Sequence, residues 1–398
     1  MNILYVTSSF DKRGSASVRN VSLVNGLIEN GANVDVLTQL WPDSMIDKDL
    51  KKNINNNVEV YYDSLKVINM YFSRIDKQVN QKKGNQKFAT YIKNFIKYIY
   101  FFPDIDKEWI KKYNKKLDYS KYDLIISSSD TKTSHIVANE IYKNTSNARW
   151  FQIWGDPWVD DKGTRGMRKV LAYFYEKTLL KKADKVFYIS LPTLKTLKLK
   201  YKKSASKMFH LNRSYLKEVK SNGKEREEFV FSYIGSIYYG RNIMPLIEAI
   251  NDYNIKYKKQ IKLTIYGTYS EAIVNESLEY KFVEFYGFVE YDKVVEVIAD
   301  SDVLIFMSNM KDSHQIPGKL FDYFGTDISI LALVESIDNN VSKFIQQTNR
   351  CILFENNKRT IDLDYVVNQI LKNNQTVLTE YSKENVAKGL LDHFRKSD

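Results

Sequence analysis

Short apolar runs alternate with longer amphipathic stretches along most of the chain. In the first half the runs are NILYVTSS, ANVDVLT, VEVYYDS, YDLIISSS, ARWFQIWG and KVFYIS. Between them apolar residues recur at helical spacing, as in Val18, Val21, Leu23, Val24, Leu27 and Ile28. Nearly continuous apolar strands separated by helices predict a parallel sheet covered on both faces. From about residue 229 the pattern restarts: FVFSYIGS, IKLTIYG, VEFYGFV, DVLIFMS, ISILALV and CILFEN, with a clear helix through Ile243, Leu246, Ile247 and Ile250. The stretch between the two series, YLKEVKSNGKEREE (215–228), is polar, holds Asn-Gly and has no apolar period, so it reads as a linker. The expected class is therefore α/β, with doubly wound domains over 1–213 and 229–379, a linker over 214–228, and a cleft where the carboxyl ends of the two sheets face each other. The last segment, YSKENVAKGLLDHF, reads as a helix with no strand after it; residues 380–398 are expected to pack back on the first domain.

Composition narrows the class. The 398 residues exceed a single compact core, and 43% apolar with 27% charged is ordinary for a globular protein. Met1-Asn2 leads directly into a strand, so no signal peptide is expected, and no run of 18 apolar residues exists. One cysteine, Cys351, excludes an internal disulfide, and the four histidines have no metal-ligand spacing. The expectation is a cytoplasmic, metal-independent protein.

Charge is distributed unevenly. Residues 1–213 hold 38 Lys+Arg against 21 Asp+Glu, and the remainder 22 against 27. Such asymmetry predicts an anionic partner for the first half alone. KFATYIKNFIKYIYFF (87–102) places Phe88, Tyr91, Ile92, Phe95, Ile96 and Ile99 on one stripe flanked by Lys87, Lys93 and Lys97, and KTLKLKYKKSASK (195–207) adds more cations. A basic, aromatic helix of this kind suits an anionic membrane interface. The alternative is a helix packed on the core with a solvated basic face. A nucleic-acid partner is set aside, because no zinc finger, helix-turn-helix or aromatic-basic RNA-binding strand is present.

Candidate chemistry gathers in SHQIPGKLFDYFG (313–325), which follows an apolar strand. Pro317 suits a helix's first turn, Gly318 lets a ligand approach the backbone, and Lys319 sets a cation where the helix dipole disfavours one. That placement predicts a bound phosphate. Lys319, Asp322 and Tyr323 fall at i, i+3, i+4 on one face, with Leu320, Phe321 and Phe324 opposite. A second strand–glycine–helix loop, YIGSIYYGR, offers Gly235, Ser236 and Arg241, with Pro245 in the following helix. Arg241 and Lys319 at one sheet edge would make a diphosphate clamp. The alternative is a capped amphipathic helix whose Lys319 and Asp322 pair at the surface.

Taken in order, YIGSIYYGR, LTIYG, VEFYGFVEYDKVVEVIADSDVLIFMS and IPGKLFDYFG resemble the donor domain of GT-B glycosyltransferases, specifically the large retaining family 4. TSSFDKRGSAS, DLIISSS, WGDPW and YEKTLLKKADKVFYIS match the first domain more loosely. The resemblance implies two Rossmann-like domains and transfer of a sugar from a nucleotide-diphosphate sugar, with retention and no metal. Its ribose-binding glutamate falls on Asp322, and its other motif glutamate, eight residues earlier, falls on His314. Its phosphate-binding arginine falls on Ser236 and the partner lysine on Arg241, with Lys319 the candidate replacement. Gly14 and Ser15 match its glycine loop in part, and base recognition is carried over to the backbone at Phe288 and Val289. The histidine it often places near the transferred sugar has no counterpart where DLIISSS ends; His135 lies further on and is expected to be structural.

Asp156, in the WGDPW turn between Trp154 and Trp158, is the remaining catalytic candidate, and the tryptophans are expected to offer an apolar wall to a sugar. The alternative is an Asp-Pro turn with core tryptophans. DID (104–106) looks like the carboxylate pair of metal-dependent transferases but sits away from any phosphate loop, and is set aside. The implied acceptor is a lipid-linked saccharide or surface polysaccharide, of a bacterial capsule or O-antigen type, reached from the inner face of the plasma membrane. A sugar-nucleotide epimerase and an inactive transferase-like binding protein are the competing readings.

Overall fold

The computed structural model describes residues 1–66, 102–129, 131–161, 163–238, 240–309, 316–372 and 375–396. The expected basic helix over 87–102 and the candidate His314 lie outside them, apart from Phe102. The chain divides into two units: Met1–Asp47, Asn53–Asn212 and Val386–Asp398 form one, and Lys48–Lys52 with Arg213–Asn385 the other.

The first unit holds a sheet of β1 (Asn2–Thr7), β2 (Asn33–Leu40), β3 (Glu59–Ser64), β4 (Leu124–Ser129), β5 (Arg149–Trp154), β6 (Lys185–Tyr188) and β7 (Met208–His210). Its order is β3-β2-β1-β4-β5-β6-β7, and every pairing is parallel. The second unit holds β8 (Phe229–Ile234), β9 (Ile261–Tyr266), β10 (Val283–Phe285), β11 (Val303–Met307), β12 (Ser329–Val334) and β13 (Cys351–Glu355). These run β10-β9-β8-β11-β12-β13, again all parallel. The central strands β4, β11 and β12 are buried at every position, as a sheet covered on both faces requires. Edge strands β10 and β13 are half-buried throughout.

Small departures from the expected elements have local causes. β6 stops at Tyr188 because Ser190 caps the helix Leu191–Lys200, its hydroxyl accepting from Thr193 N at 3.3 Å. β10 stops at Phe285, two residues before the turn at Gly287. β7 has three residues, too few to leave an alternating pattern in sequence. The polar stretch 215–228 is docked at its start: Tyr215 and Val219 are buried in the second unit's core, and Val219 N donates to Gly325 O at 2.9 Å.

In each sheet the strand order reverses direction once, between β1 and β4 and between β8 and β11. Loops leaving the carboxyl ends of those neighbouring strands diverge to opposite faces, which opens a crevice at the switch point. Among the described residues no helix is long and apolar enough to cross a membrane.

Candidate functional site

The second unit's switch point is built by backbone first. After β8 the chain enters Gly235 at φ +154°, with its N–H donating to Tyr266 O at 2.8 Å. Gly267, after β9, lies so close that a Cβ there would stand 2.0 Å from the Gly235 carbonyl oxygen. Gly267 N donates in turn to Gly287 O at 2.6 Å. Three successive strand ends are thus laced together. Above them the Thr268 hydroxyl donates to Ser236 Oγ at 2.7 Å.

Arg241 spans the crevice. Its Nη1 donates to Ser236 O at 2.8 Å and its Nη2 to Asn309 Oδ1 at 2.6 Å, joining the loops that leave β8 and β11. Arg241 Nε is buried with no protein partner, and so is Ser308 Oγ next to Asn309. On the far side, Asn356 follows β13, donates to Asn242 O at 2.6 Å and leaves its Oδ1 buried and unpaired. A buried polar atom without a partner costs about 1–3 kcal/mol, so native chains seldom leave several together. A cation fixed by two bonds, beside unpaired donors and acceptors, is arranged to receive a polar ligand.

Asp322 and Lys319 occupy the adjoining ground. They line a groove with Tyr215, Lys217, Tyr291 and Val294, between the segment after Arg213 and the helix Tyr291–Ala299. Asp322 Oδ1 is buried without a partner. On the same helix, Tyr323 is wholly buried and its phenol is raised far above its ordinary range, first by burial, then by Tyr233 and the Asp322 carboxylate, with Arg241 opposing.

Several expected details are corrected. Tyr323 does not share an exposed face with Lys319 and Asp322; it is wholly buried in the core with Leu320, Phe321 and Phe324. The helix Lys319–Phe324 is six residues long and covered on more than one side, so helical spacing does not give it a free face. Gly318 has an ordinary helical φ of −59° and Pro317 precedes it, with Leu320 N bonding back to Pro317 O at 3.2 Å. Phe288 is 54% exposed, and Val289 is half-buried against the core.

In the first unit, Gly14 caps the helix Ser15–Glu29 at φ +145° and nothing lies within 4 Å of a Cβ built on it. Asp156 is exposed in the turn after β5, where Lys132 Nζ donates to its carbonyl at 2.8 Å. The tryptophans beside it form no open wall. Trp154 is fully buried, stacked between His135 at 4.2 Å and Tyr188 at 6.2 Å, and Trp158 is 4% exposed and stacked on Phe102. His135 is structural: its Nδ1 meets Ser127 Oγ at 2.8 Å, and burial holds it well below the ordinary imidazole value, hence neutral.

Sequence reasoning missed Arg19. It is 7% exposed, and its Nη2 donates to Ser129 O at 3.0 Å and Ser128 Oγ at 3.2 Å at the first switch point. Its Nη1 reaches Gly155, where a Cβ would come within 2.6 Å. Asn20 beside it donates to Thr7 Oγ1 at 2.9 Å and to Ser9 O at 2.7 Å. The signal was a polar pair interrupting the core-facing stripe of an apolar helix. Asn309 and Gly267 were missed for lack of any comparable signal.

Residues 215–317 match the family model described as glycosyl transferases group 1. No curated protein sequence matches the chain. Among solved structures the chain is similar to the UDP-GlcNAc 2-epimerase of Neisseria meningitidis bound to UDP-GlcNAc, at TM-score 0.59 and 12% identity over 100% of both chains. It is similar to the catalytic domain of starch synthase IV from Arabidopsis thaliana bound to ADP and acarbose, at TM-score 0.59 and 11% identity over 99% of both. It is also similar to Anabaena HepE in complex with UDP and glucose, at TM-score 0.58 and 12% identity over 99% of both. The fold expected from the sequence, that of the GT-B glycosyltransferases with two parallel-sheet α/β domains, is borne out.

Proposed function

We propose that the protein is a glycosyltransferase that moves a sugar from a nucleotide-diphosphate sugar to a lipid-linked saccharide or surface polysaccharide. The single observation that carries the reading is the Arg241 bridge at the second switch point, with Arg241 Nε and the neighbouring Ser308 Oγ buried and unpaired. The match to glycosyl transferases group 1 spans Arg241 and Ser308.

In this reading the bridged guanidinium stabilises the departing diphosphate, whose negative charge grows as the glycosidic bond breaks. Lys319 adds charge from the adjoining groove, and Asp322 accepts hydrogen bonds from ribose hydroxyls. The base lies along Phe288 and Val289. No metal takes part, the anomeric configuration is retained, and Asp156 assists orientation of acceptor or sugar. The enzyme works on a bacterial surface glycan from the inner face of the plasma membrane.

The likeness to an epimerase bound to UDP-GlcNAc supports one competing reading, interconversion of a nucleotide sugar without acceptor. The test is a metal-free thermal-shift panel of UDP-, GDP-, ADP- and CMP-sugars on the wild type, Arg241→Ala and Asp322→Ala. One nucleotide class at about a hundredfold its Kd should stabilise by about 2.7 kcal/mol, which is roughly 5–10 °C for a unit of this size. Both variants should lose most of that shift. No shift with any donor sinks the assignment. A shift followed by conversion of the nucleotide sugar alone replaces transfer with epimerisation.

A further inference from the structure

The helix Met167–Lys182 of the first unit carries an apolar stripe that faces outward. Its buried side is Ala172, Glu176, Leu179 and Leu180. On the opposite side Met167, Val170 and Phe174 are 63%, 57% and 60% exposed, and their i, i+3, i+7 spacing puts them on one face. Lys177 and Lys181 continue the same face one and two turns on, both exposed.

The exposed charges of this helix have one sign, and the exposed Asp160 nearby is paired with Lys200 at 2.8 Å. The helix carries Arg168, Lys169, Lys177, Lys181 and Lys182, and its one acid, Glu176, is withdrawn into the core. There Glu176 accepts from Trp158 N at 3.2 Å and from the Tyr201 hydroxyl at 2.7 Å. Tyr201 ends the neighbouring helix Leu191–Lys200 and stacks on Tyr173 at 5.9 Å. That end adds Leu199, 74% exposed, between the exposed Lys198 and Lys202. Exposed large apolar side chains are common singly; three in register on a helix without an exposed acid are not.

We propose that this face docks on an anionic lipid surface, with Met167, Val170 and Phe174 entering the headgroup layer and Lys177 and Lys181 meeting lipid phosphates. Charge complementarity selects this occupant. A second copy of the chain would bring five cations against five, and a protein partner would need a matching acidic groove, whereas an anionic bilayer supplies charge and apolar depth together. The proposal rests on the reading of a lipid-linked acceptor, because docking would bring the first unit to the leaflet holding it. It centres the contact on the helix Met167–Lys182, beside the basic stretch 195–207 that the sequence pattern named for such a surface.

The test is sedimentation of the full-length protein with vesicles of phosphatidylcholine alone and of phosphatidylcholine with phosphatidylglycerol. The wild type should bind the anionic vesicles and leave the neutral ones. Phe174→Ser and, separately, the pair Lys177→Glu with Lys181→Glu should each weaken that binding about tenfold or more. Both variants should keep the donor-induced thermal shift, which reports that they are folded. Equal binding by wild type and Phe174→Ser would reduce the contact to charge alone and overturn the proposal, as would no binding by the wild type. Vesicle binding without any donor shift would leave the docking face standing and sink the transferase reading instead.

Discussion

Gly267 tolerates no side chain. Its φ of +124° is one that L residues rarely adopt, and the atom a Cβ would strike is a backbone carbonyl that cannot rotate away. Gly14 has a similar φ of +145° but open space around it. The pair therefore separates strain from collision. Gly14→Ala should cost about 1 kcal/mol, and Gly267→Ala about 2 kcal/mol more, measured by urea unfolding. Gly267→Ala should also weaken donor binding, because the displaced Gly235 carries Ser236 and, through it, Arg241. Equal costs at the two positions would mean that the strand ends are not laced as described. Gly14, Gly235 and Arg241 were legible in sequence because each stands in a strand–loop–helix context. Gly267 closes the strand IKLTIY and looks like any strand-ending glycine. Its role depends on β9 lying beside β8, which only the strand order reveals.

The same dependence on topology governs whole elements. Asp104 and Asp106 were set aside from the sequence as lying away from any phosphate loop. The fold brings them to the helix Thr133–Tyr142, where Asp104 accepts from Thr133 Oγ1 at 2.6 Å and Thr133 N at 3.0 Å. Asp106 is fully buried, and burial together with the Asp104 charge pushes it up to about 7, with the Thr131 and Gln39 side chains opposing. A carboxyl raised in the folded state favours folding while protonated. Its stability contribution is complete below about pH 4 and is lost as pH rises through 7. His135, held neutral by burial, acts in the opposite sense, costing stability as pH falls below 6.5. Asp106→Asn removes the first effect and relieves the neighbouring, likewise raised Asp104 in the same sense, while His135 is common to both proteins. The melting temperature of the variant should exceed that of the wild type by a margin that widens from pH 4 to 7 and then levels. A margin independent of pH would show that Asp106 is not protonated in the native state. Strands and long helices were legible because burial on both faces leaves long apolar runs. The pairing of an isolated loop with a helix's first turn leaves no such trace.

At the scale of the molecule, the chain leaves the first unit after Asn212, builds the second, and re-enters the first at Val386. The returning helix Lys383–Arg395 buries Val386, Ala387, Leu390 and Leu391. Its end lies on the outer strands of the first sheet. Arg149 Nη1 of β5 donates to Phe394 O at 2.6 Å, Phe394 meets Phe151 edge-on at 6.4 Å, and His393 packs on Phe187 of β6 and Phe209 of β7. A sheet covered on both faces requires such a helix, and the closing segment supplies it. Truncating one of its buried leucines, Leu390→Ala, should cost about 2–5 kcal/mol, and the loss should be local to one unit. Native-state hydrogen exchange would resolve this: amides of β5, β6 and β7 should exchange faster, while those of β8, β11 and β12 keep their protection. Faster exchange in both sheets together would mean that the units unfold as one. Donor binding, which this reading assigns to the second unit, should then fall with the first; if the units open separately, the donor-induced thermal shift survives in Leu390→Ala.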